Sequence, residues 1–270
     1  MKFINKTIQN IANYFNYKIS KKVNKYYKNN YSFFYRGLIK TKSPKIFDVG
    51  SDKGLFIEKF KNIFKNCFIY SFEPNIETFS DLKTRYNSDN KVVINNFGFA
   101  EKQGKKKFYI SHVSGTSSFF KISEKTNFFL RKTSKNNLDV LLKKTINVKI
   151  NTIDNFCRTN KIKHIDVLKI DTEGYEEKVI KGAQKMLKNN KIDIIQIELT
   201  HCNVYEGQNK KFVRNSFYGI EKFLIPNNYR LLLIDGSGGY QNLKLNSAWK
   251  SELIYISEKI FNNLSKLKKN

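Results

Sequence analysis

The sequence predicts an α/β protein: a doubly wound, mostly parallel sheet with an antiparallel edge strand, preceded by a basic helical extension. Three observations predict it. From Lys45 onward, short apolar runs alternate with stretches whose apolar residues recur at helical spacing, the pattern of a parallel sheet covered by helices. The first run, Ile46-Phe47-Asp48-Val49, leads straight into Gly50-Ser51-Asp52-Lys53-Gly54, and the second ends in the acid Glu73. The last two runs, 229–234 and 253–256, are joined by a stretch containing Gly236, Gly238 and Gly239 instead of a crossover helix, so they are expected to pair antiparallel.

Residues 1–44 form a compositional zone of their own, rich in lysine and free of acids. Ile4, Ile8, Ile11, Phe15 and Ile19 lie on one face of a helix whose other faces are basic and amide-rich. Such a helix either packs on its own domain or a second copy of the chain, giving a homo-oligomer, or lies on an anionic membrane surface.

The domain proper is expected over 45–260. After the first strand, Leu55, Phe56, Phe60, Ile63 and Phe64 mark a helix, and 67–72 is the second strand. A helix over 77–86, a strand over 91–99 and a short strand over 105–111, after a turn at Gly104, come next. The Ser- and Lys-rich stretch 114–137, with Gly115, Thr116, Ser117 and Ser118, is either a lid over a site or a plain surface loop. Strands follow at 148–150 and 165–170, then a helix with Tyr175, Val179, Ile180, Ala183, Met186 and Leu187 on one face. A strand over 192–199, a helix near 212–224 and the closing pair of strands complete the domain. Residues 261–270, with Lys266, Lys268 and Lys269, form a basic tail.

The glycine turn after the first strand allows a ligand to approach the backbone closely, and Glu73, followed by Pro74, can accept hydrogen bonds from both hydroxyls of a ribose. Asp48, Gly50, Ser51, Asp52, Gly54, Glu73 and Pro74 therefore outline a nucleotide pocket, with Asn96 and Phe97 completing it at the end of the third strand. A dinucleotide would set its pyrophosphate against Asp52, like charge against like. S-adenosylmethionine has no phosphate and carries a sulfonium, so acids at Asp48, Asp52 and Glu73 suit it.

A second constellation is Ile165-Asp166-Val167-Leu168-Lys169-Ile170-Asp171-Thr172-Glu173-Gly174. Open parallel sheets bind ligands at the carboxyl ends of their strands, where Asp171 and Glu173 fall, and on an extended strand Lys169, Asp171 and Glu173 share a face. A carboxylate there can serve as general base, contact the methionine ammonium of the cofactor or hold a divalent metal; alternatively Glu173 and Gly174 are a helix-start acid and a turn glycine. Asp171, Glu173 and His201 form the candidate catalytic set, with Asp171 also on the cofactor side. His201 follows the strand that bears Glu198, and the two could join Asp171 and Glu173 around a metal. No full ligand set is spaced locally, so the chemistry is expected to run without one.

The blocks Phe47-Asp48-Val49-Gly50, Phe72-Glu73-Pro74-Asn75, Ile153-Asp154 and Leu168-Lys169-Ile170-Asp171-Thr172-Glu173-Gly174-Tyr175-Glu176, with Gly182-Ala183 after them, resemble the FkbM family of S-adenosylmethionine-dependent methyltransferases. The resemblance covers roughly 45–235. It implies a class I, Rossmann-like methyltransferase fold and O-methylation of a hydroxyl on a saccharide, glycolipid or related secondary metabolite. The chain departs from the family loop at two places, Ser51 and Asp52, where the family usually carries Ala and Asn.

At 270 residues with 40% hydrophobic content the chain can bury a sizeable core. Its formal net charge of +27 raises RNA methylation as an alternative, but no RNA-binding module is appended. An inactive module of the same fold that binds membrane or nucleic acid is the non-enzymatic alternative. Cys67, Cys157 and Cys202 match neither a disulfide framework nor a zinc spacing, and no apolar run approaches a membrane span. A cytoplasmic protein, peripheral to a membrane at most, with a small-molecule or glycan acceptor, is the expectation.

Overall fold

The computed structural model describes residues 32–112, 115–122, 142–200, 205–206, 216–235 and 250–266. The amphipathic helix expected between residues 4 and 19, the glycine stretch 236–239 and His201 lie outside the described residues. Along the chain the elements are α1 (Ser32–Leu38), β1 (Lys45–Val49), α2 (Leu55–Ile63), β2 (Phe68–Phe72), α3 (Ile76–Arg85), β3 (Val92–Asn95), β4 (Gly98–Phe99), β5 (Gly104–Ser111) and β6 (Lys121–Ile122). They continue with β7 (Leu142–Asn151), α4 (Ile153–Thr159), β8 (Ile165–Ile170), α5 (Glu176–Lys181), α6 (Gln184–Lys188), β9 (Ile192–Thr200) and β10 (Tyr205–Glu206). The last are α7 (Phe217–Leu224), β11 (Arg230–Asp235), β12 (Lys250–Ile256) and α8 (Glu258–Lys266).

Seven strands make the main sheet in the order β11-β12-β9-β8-β1-β2-β3. All neighbours run parallel except β12, which is antiparallel to both β9 and β11. The expected antiparallel hairpin thus forms one margin of the sheet, with β12 one place in and β11 outermost. Because β1 pairs with β2 on one side and β8 on the other, the winding reverses between β1 and β8, which opens a crevice at their carboxyl ends.

Strand alternation splits the apolar residues between two layers. Ile46, Ile69, Val167 and Ile194 face one side, where Tyr35 of α1, Ile57 and Phe60 of α2, Leu82 of α3 and Ile260 of α8 cover them. Phe47, Phe72, Leu168 and Ile195 face the other, under Phe156 of α4, Val179 of α5, Leu187 of α6 and Leu224 of α7. A three-stranded sheet, β4-β7-β5, adds Phe108, Ile110, Val148 and Ile150 to this second layer.

Several elements differ from the sequence expectation for local reasons. The single helix expected after β8 is broken into α5 and α6 at Gly182, where a Cβ would stand 2.2 Å from the Ala100 carbonyl oxygen. Asp154 explains why α6 restarts there: its carboxylate accepts from the amides of Lys185 (2.8 Å) and Met186 (3.0 Å), capping the new first turn. The strand expected over 148–150 is the end of the longer β7 that buries Val148 and Ile150; before it, exposed Lys143, Thr145 and Asn147 alternate with half-buried Leu142, Lys144 and Ile146. The boundary expected at 260 falls inside α8, whose amphipathic face buries Ile260 and sets the Arg230 guanidinium over the Phe261 ring. Among the described residues no helix is long and apolar enough to cross a membrane.

The end of the expected extension is likewise part of the domain. Tyr35, Leu38 and Ile39 are buried, and the Tyr35 hydroxyl donates to the Gln196 side chain, which in turn donates to Glu252 at 2.8 Å. Burying each such side chain contributes about 1.5–3 kcal/mol. Deleting residues 1–40 is therefore expected to lower the free energy of unfolding by about 5 kcal/mol or more, read from a denaturant titration; an unchanged midpoint would show that α1 contributes nothing to the core.

Candidate functional site

A cleft of about 580 Å³ opens at the carboxyl ends of β1, β2 and β8. Its floor is the loop after β1. Gly50 sits at φ +82°, and a Cβ there would lie 1.8 Å from the Asp171 carbonyl oxygen, so only glycine lets this loop rest on the end of β8. The Gly50 and Ser51 amides both donate to the Phe72 carbonyl, at 3.1 and 3.3 Å. The Ser51 hydroxyl donates to the Asp48 carbonyl at 2.9 Å and accepts from the Ser71 hydroxyl at 2.6 Å and the Phe72 amide at 3.2 Å. This serine pins the loop to β2.

Glu73 closes β2 with a carboxylate only 6% exposed. One oxygen accepts from the Asp52 amide at 3.0 Å, the other from the Asn75 amide at 2.8 Å. Burial pushes its carboxyl up to about 7; the two amides pull it down, and the charges of Asp52 and Asp48 add to the rise. Asp52 reaches this position with a left-handed φ of 41°, a conformation Asp tolerates better than most residues.

Of the residues expected on the cofactor side, Gly50, Ser51, Asp52, Glu73, Pro74 and Asp171 line the cleft. Asp48, Gly54, Asn96 and Phe97 are not among its lining residues. Asp48 is fully buried beneath the loop, and Gly54 is the left-handed N-cap of α2. The Asn96 side-chain amide donates to the Glu73 and Pro74 carbonyls, at 3.0 and 3.2 Å, fixing the turn from behind. Phe97 packs against the rings of Phe72 and Phe99.

At the other wall, Lys169 is buried with its ammonium 3.0 Å from Asp171, 3.7 Å from Asp48 and 4.9 Å from the centre of the Phe56 ring. Burial works against the charged ammonium, yet Asp171 and Asp48 outweigh it and raise its pKa. Asp171 is likewise held below the ordinary carboxylate range: burial opposes this, and Lys169 and Lys250 prevail. Asp48 is pushed up by burial, with Lys169 opposing, and neither of its oxygens accepts a hydrogen bond.

The sequence expectation that Lys169, Asp171 and Glu173 share a face holds for the first two. Beyond Ile170 the strand ends, and Glu173 turns away at φ 51° to an ion pair with Lys250 at 2.8 Å. Lys250 also meets Glu198 at 2.5 Å. One carboxylate oxygen from each of Asp171, Glu173 and Glu198 lies within 4.8 Å of the others. Burial, then the charges of Asp171 and Glu173, push Glu198 up to about 8 against the pull of Lys250.

Two residues of this wall carry no role in the sequence reading. Glu176, fully buried, accepts from the Thr172 amide and hydroxyl and from the Gly174 amide, at 2.9, 3.0 and 3.1 Å, and so shapes the loop that carries Glu173. An acid two residues past Gly174, in the first turn of a helix, is the signal for it. Lys250 has none, because both of its partners are far away in sequence.

Residues 48–231 match the model of the methyltransferase FkbM domain. The 2-O-methyltransferase NoeI of Sinorhizobium fredii is 22% identical over 175 residues, covering 63% of this chain and 69% of that protein. Two similar solved structures are fibrillarin from Aeropyrum pernix with natively bound S-adenosyl-L-methionine and precorrin-6y C5,15-methyltransferase from Geobacter metallireducens. The first has a TM-score of 0.42 and 11% identity, covering 83% of this chain and 73% of that one. The second has a TM-score of 0.40 and 8% identity, covering 84% and 86%.

The Glu73 carboxyl gives the free protein a pH signature. Its pKa rises from an ordinary 4.5 to about 7 on folding, so the folded chain binds more protons between those values and loses stability as pH climbs through them. Relative to Glu73→Ala, the wild type is expected to lose about 3 kcal/mol between pH 4.5 and pH 7. Denaturant midpoints of both proteins across that range check it, and parallel curves would mean that Glu73 is ionised in the free protein.

Proposed function

Since the chain belongs to the methyltransferase FkbM family and takes S-adenosylmethionine as its methyl donor, we propose that its acceptor is a hydroxyl group of a saccharide or glycolipid. The observation that carries this reading is the carboxylate group of Asp171, Glu173 and Glu198 beside the cleft. A hydroxyl must shed a proton as its oxygen is methylated, and clustered carboxylates are suited to receive it. The 2-O-methyltransferase named among the relatives supports an oxygen acceptor.

The residues present suit the donor. Bound, S-adenosylmethionine supplies a methyl group on a positively charged sulfur. Gly50 seats the loop against the end of β8, and Asp52, Glu73, Asp171 and Glu173 place acidic side chains around the cleft. Each Glu73 oxygen has used one lone-pair direction on an amide and keeps another for a ribose hydroxyl. The buried Asp48 carboxylate stands behind the loop and holds Lys169 toward Asp171.

On the acceptor side, Asp171 is ionised at neutral pH because Lys169 and Lys250 stabilise its charge, so it can hold the acceptor hydroxyl by a strong hydrogen bond. Glu198, which becomes ionised as the pH rises toward about 8, takes the proton in that form, and Glu173 keeps Lys250 between them. This reading moves the proton-accepting role expected of Asp171 or Glu173 one residue outward.

Two measurements test the division of labour. Glu73→Ala removes a charged hydrogen-bond acceptor and should weaken S-adenosylmethionine binding by about 1.5–3 kcal/mol in calorimetry. Glu198→Gln should lower turnover on a hydroxyl-bearing saccharide by about 100-fold to 10,000-fold, and both it and Asp171→Asn should leave donor affinity nearly intact. Loss of donor binding in Asp171→Asn would reassign that carboxylate to the donor, and methyl transfer to RNA in preference to every saccharide tried would overturn the acceptor class.

A further inference from the structure

The three carboxylates beside the cleft have the composition of a divalent-cation site, since hard cations take oxygen ligands from converging Asp and Glu. The chain itself supplies a cation to them. Lys250 opens β12, which lies antiparallel beside β9 with Glu252 directly opposite Glu198. Two acids facing each other across an antiparallel pair repel. Lys250 and Glu252 share a face of β12, so the Lys250 ammonium stands diagonal to Glu198, and it reaches over to Glu173 as well. The side chains of Glu173, Glu198 and Lys250 are 8%, 16% and 15% exposed, so the charges meet where water screens them little.

We propose that Lys250 is the resident cation of this cluster, a positioning residue whose ammonium holds Glu173 and Glu198 together beside Asp171 and occupies the place a divalent metal would take. The three acids form a metal site only when that ammonium is removed. Catalysis then needs no divalent ion, because the charge that gathers the carboxylates is covalently attached. The role of Lys250 in methyl transfer rests on the reading above, whereas its occupation of the cation site does not.

Calorimetric titration with Mn²⁺ separates the two. Wild-type protein and Lys250→Arg should bind Mn²⁺ no more tightly than about 1 mM, and Lys250→Met should bind at least about tenfold more tightly, with Glu198→Gln in the same background abolishing the gain. Wild-type protein that bound Mn²⁺ as tightly as Lys250→Met would overturn the proposal, as would a folded Lys250→Met that gained no affinity. If Lys250→Met failed to fold, the wild-type and Lys250→Arg titrations would still decide: tight Mn²⁺ binding by either refutes the resident ammonium. In methyl transfer, losing the cation raises the carboxyl pKa values, so the acid limb of the pH–rate profile should move up by about one unit or more in Lys250→Met and stay in place in Lys250→Arg. An unmoved limb in Lys250→Met, with Mn²⁺ affinity gained, would keep the cation site and refute the positioning role.

Discussion

The site depends on one ion-pair group, the buried Lys169 between the buried Asp48 and Asp171 at the cleft wall. The lysine comes from β8, Asp48 from the neighbouring β1, and the three together mark the place where the winding of the sheet reverses. Removing the Lys169 ammonium and the Asp48 carboxyl from water is expensive, and taking Lys169 away would cost about 3–5 kcal/mol because it strands a fully buried acid, whereas Asp171 keeps 28% of its side chain exposed to the cleft. The arrangement therefore fixes the register of β1 against β8 at the point where Gly50 must slide over the Asp171 carbonyl. The loop geometry, the position of Glu73 behind it and the inward aim of Asp171 all follow from that contact.

One face of the sheet is divided in two. Toward the amino ends of the parallel strands it is Ile46, Val167 and Ile194; the same columns continue as Asp48, Lys169 with Asp171, and Gln196 with Glu198. Helices α1 and α2 sit on the seam, with Phe60 among the apolar half, Phe56 under the Lys169 ammonium, and Tyr35 bonded to Gln196. A chain of net charge +27 thus keeps a local concentration of acid at its cleft. A cationic ligand entering there leaves a repulsive surface for an attractive interior, which favours the cleft over any other place on the molecule.

What could be read from the sequence was what is local. Gly50, Glu73 and Asp171 each sit at a strand end next to a recognisable turn, and the alternation of runs was enough to lay out the main sheet. Asn96 and Phe97 stood at the right strand end, but their side chains were spent on the turn behind Glu73 and on an aromatic cluster, which neighbours in sequence do not reveal. The Lys250 pairing with Glu173 and Glu198 depends on β12 lying beside β9, and no short-range pattern encodes that. The burial of Tyr35 was hidden for a similar reason: its partner, Gln196, comes from a distant strand, and the lysine-rich composition around it reads as surface. The family block through Gly174-Tyr175-Glu176 held a structural acid in plain view, and only the three donors converging on Glu176 give it a purpose.

The insertion of β12 between β9 and β11 also sets an order of assembly. Chains are made from the amino end, at about 5–20 residues per second. While the chain is being synthesised, β1, β2, β3, β8 and β9 can pair as they emerge, but β11 has no neighbour in the sheet until β12 arrives to separate it from β9. Until then the outer edge of β9 is an open ladder, and Glu198 and Glu173 face it without Lys250. The loop at Gly50 and the turn at Glu73 are therefore laid down before β12 is made, whereas the carboxylates of Glu173 and Glu198 gain their cation only with it, so a nascent chain acquires the two walls of the cleft at different times.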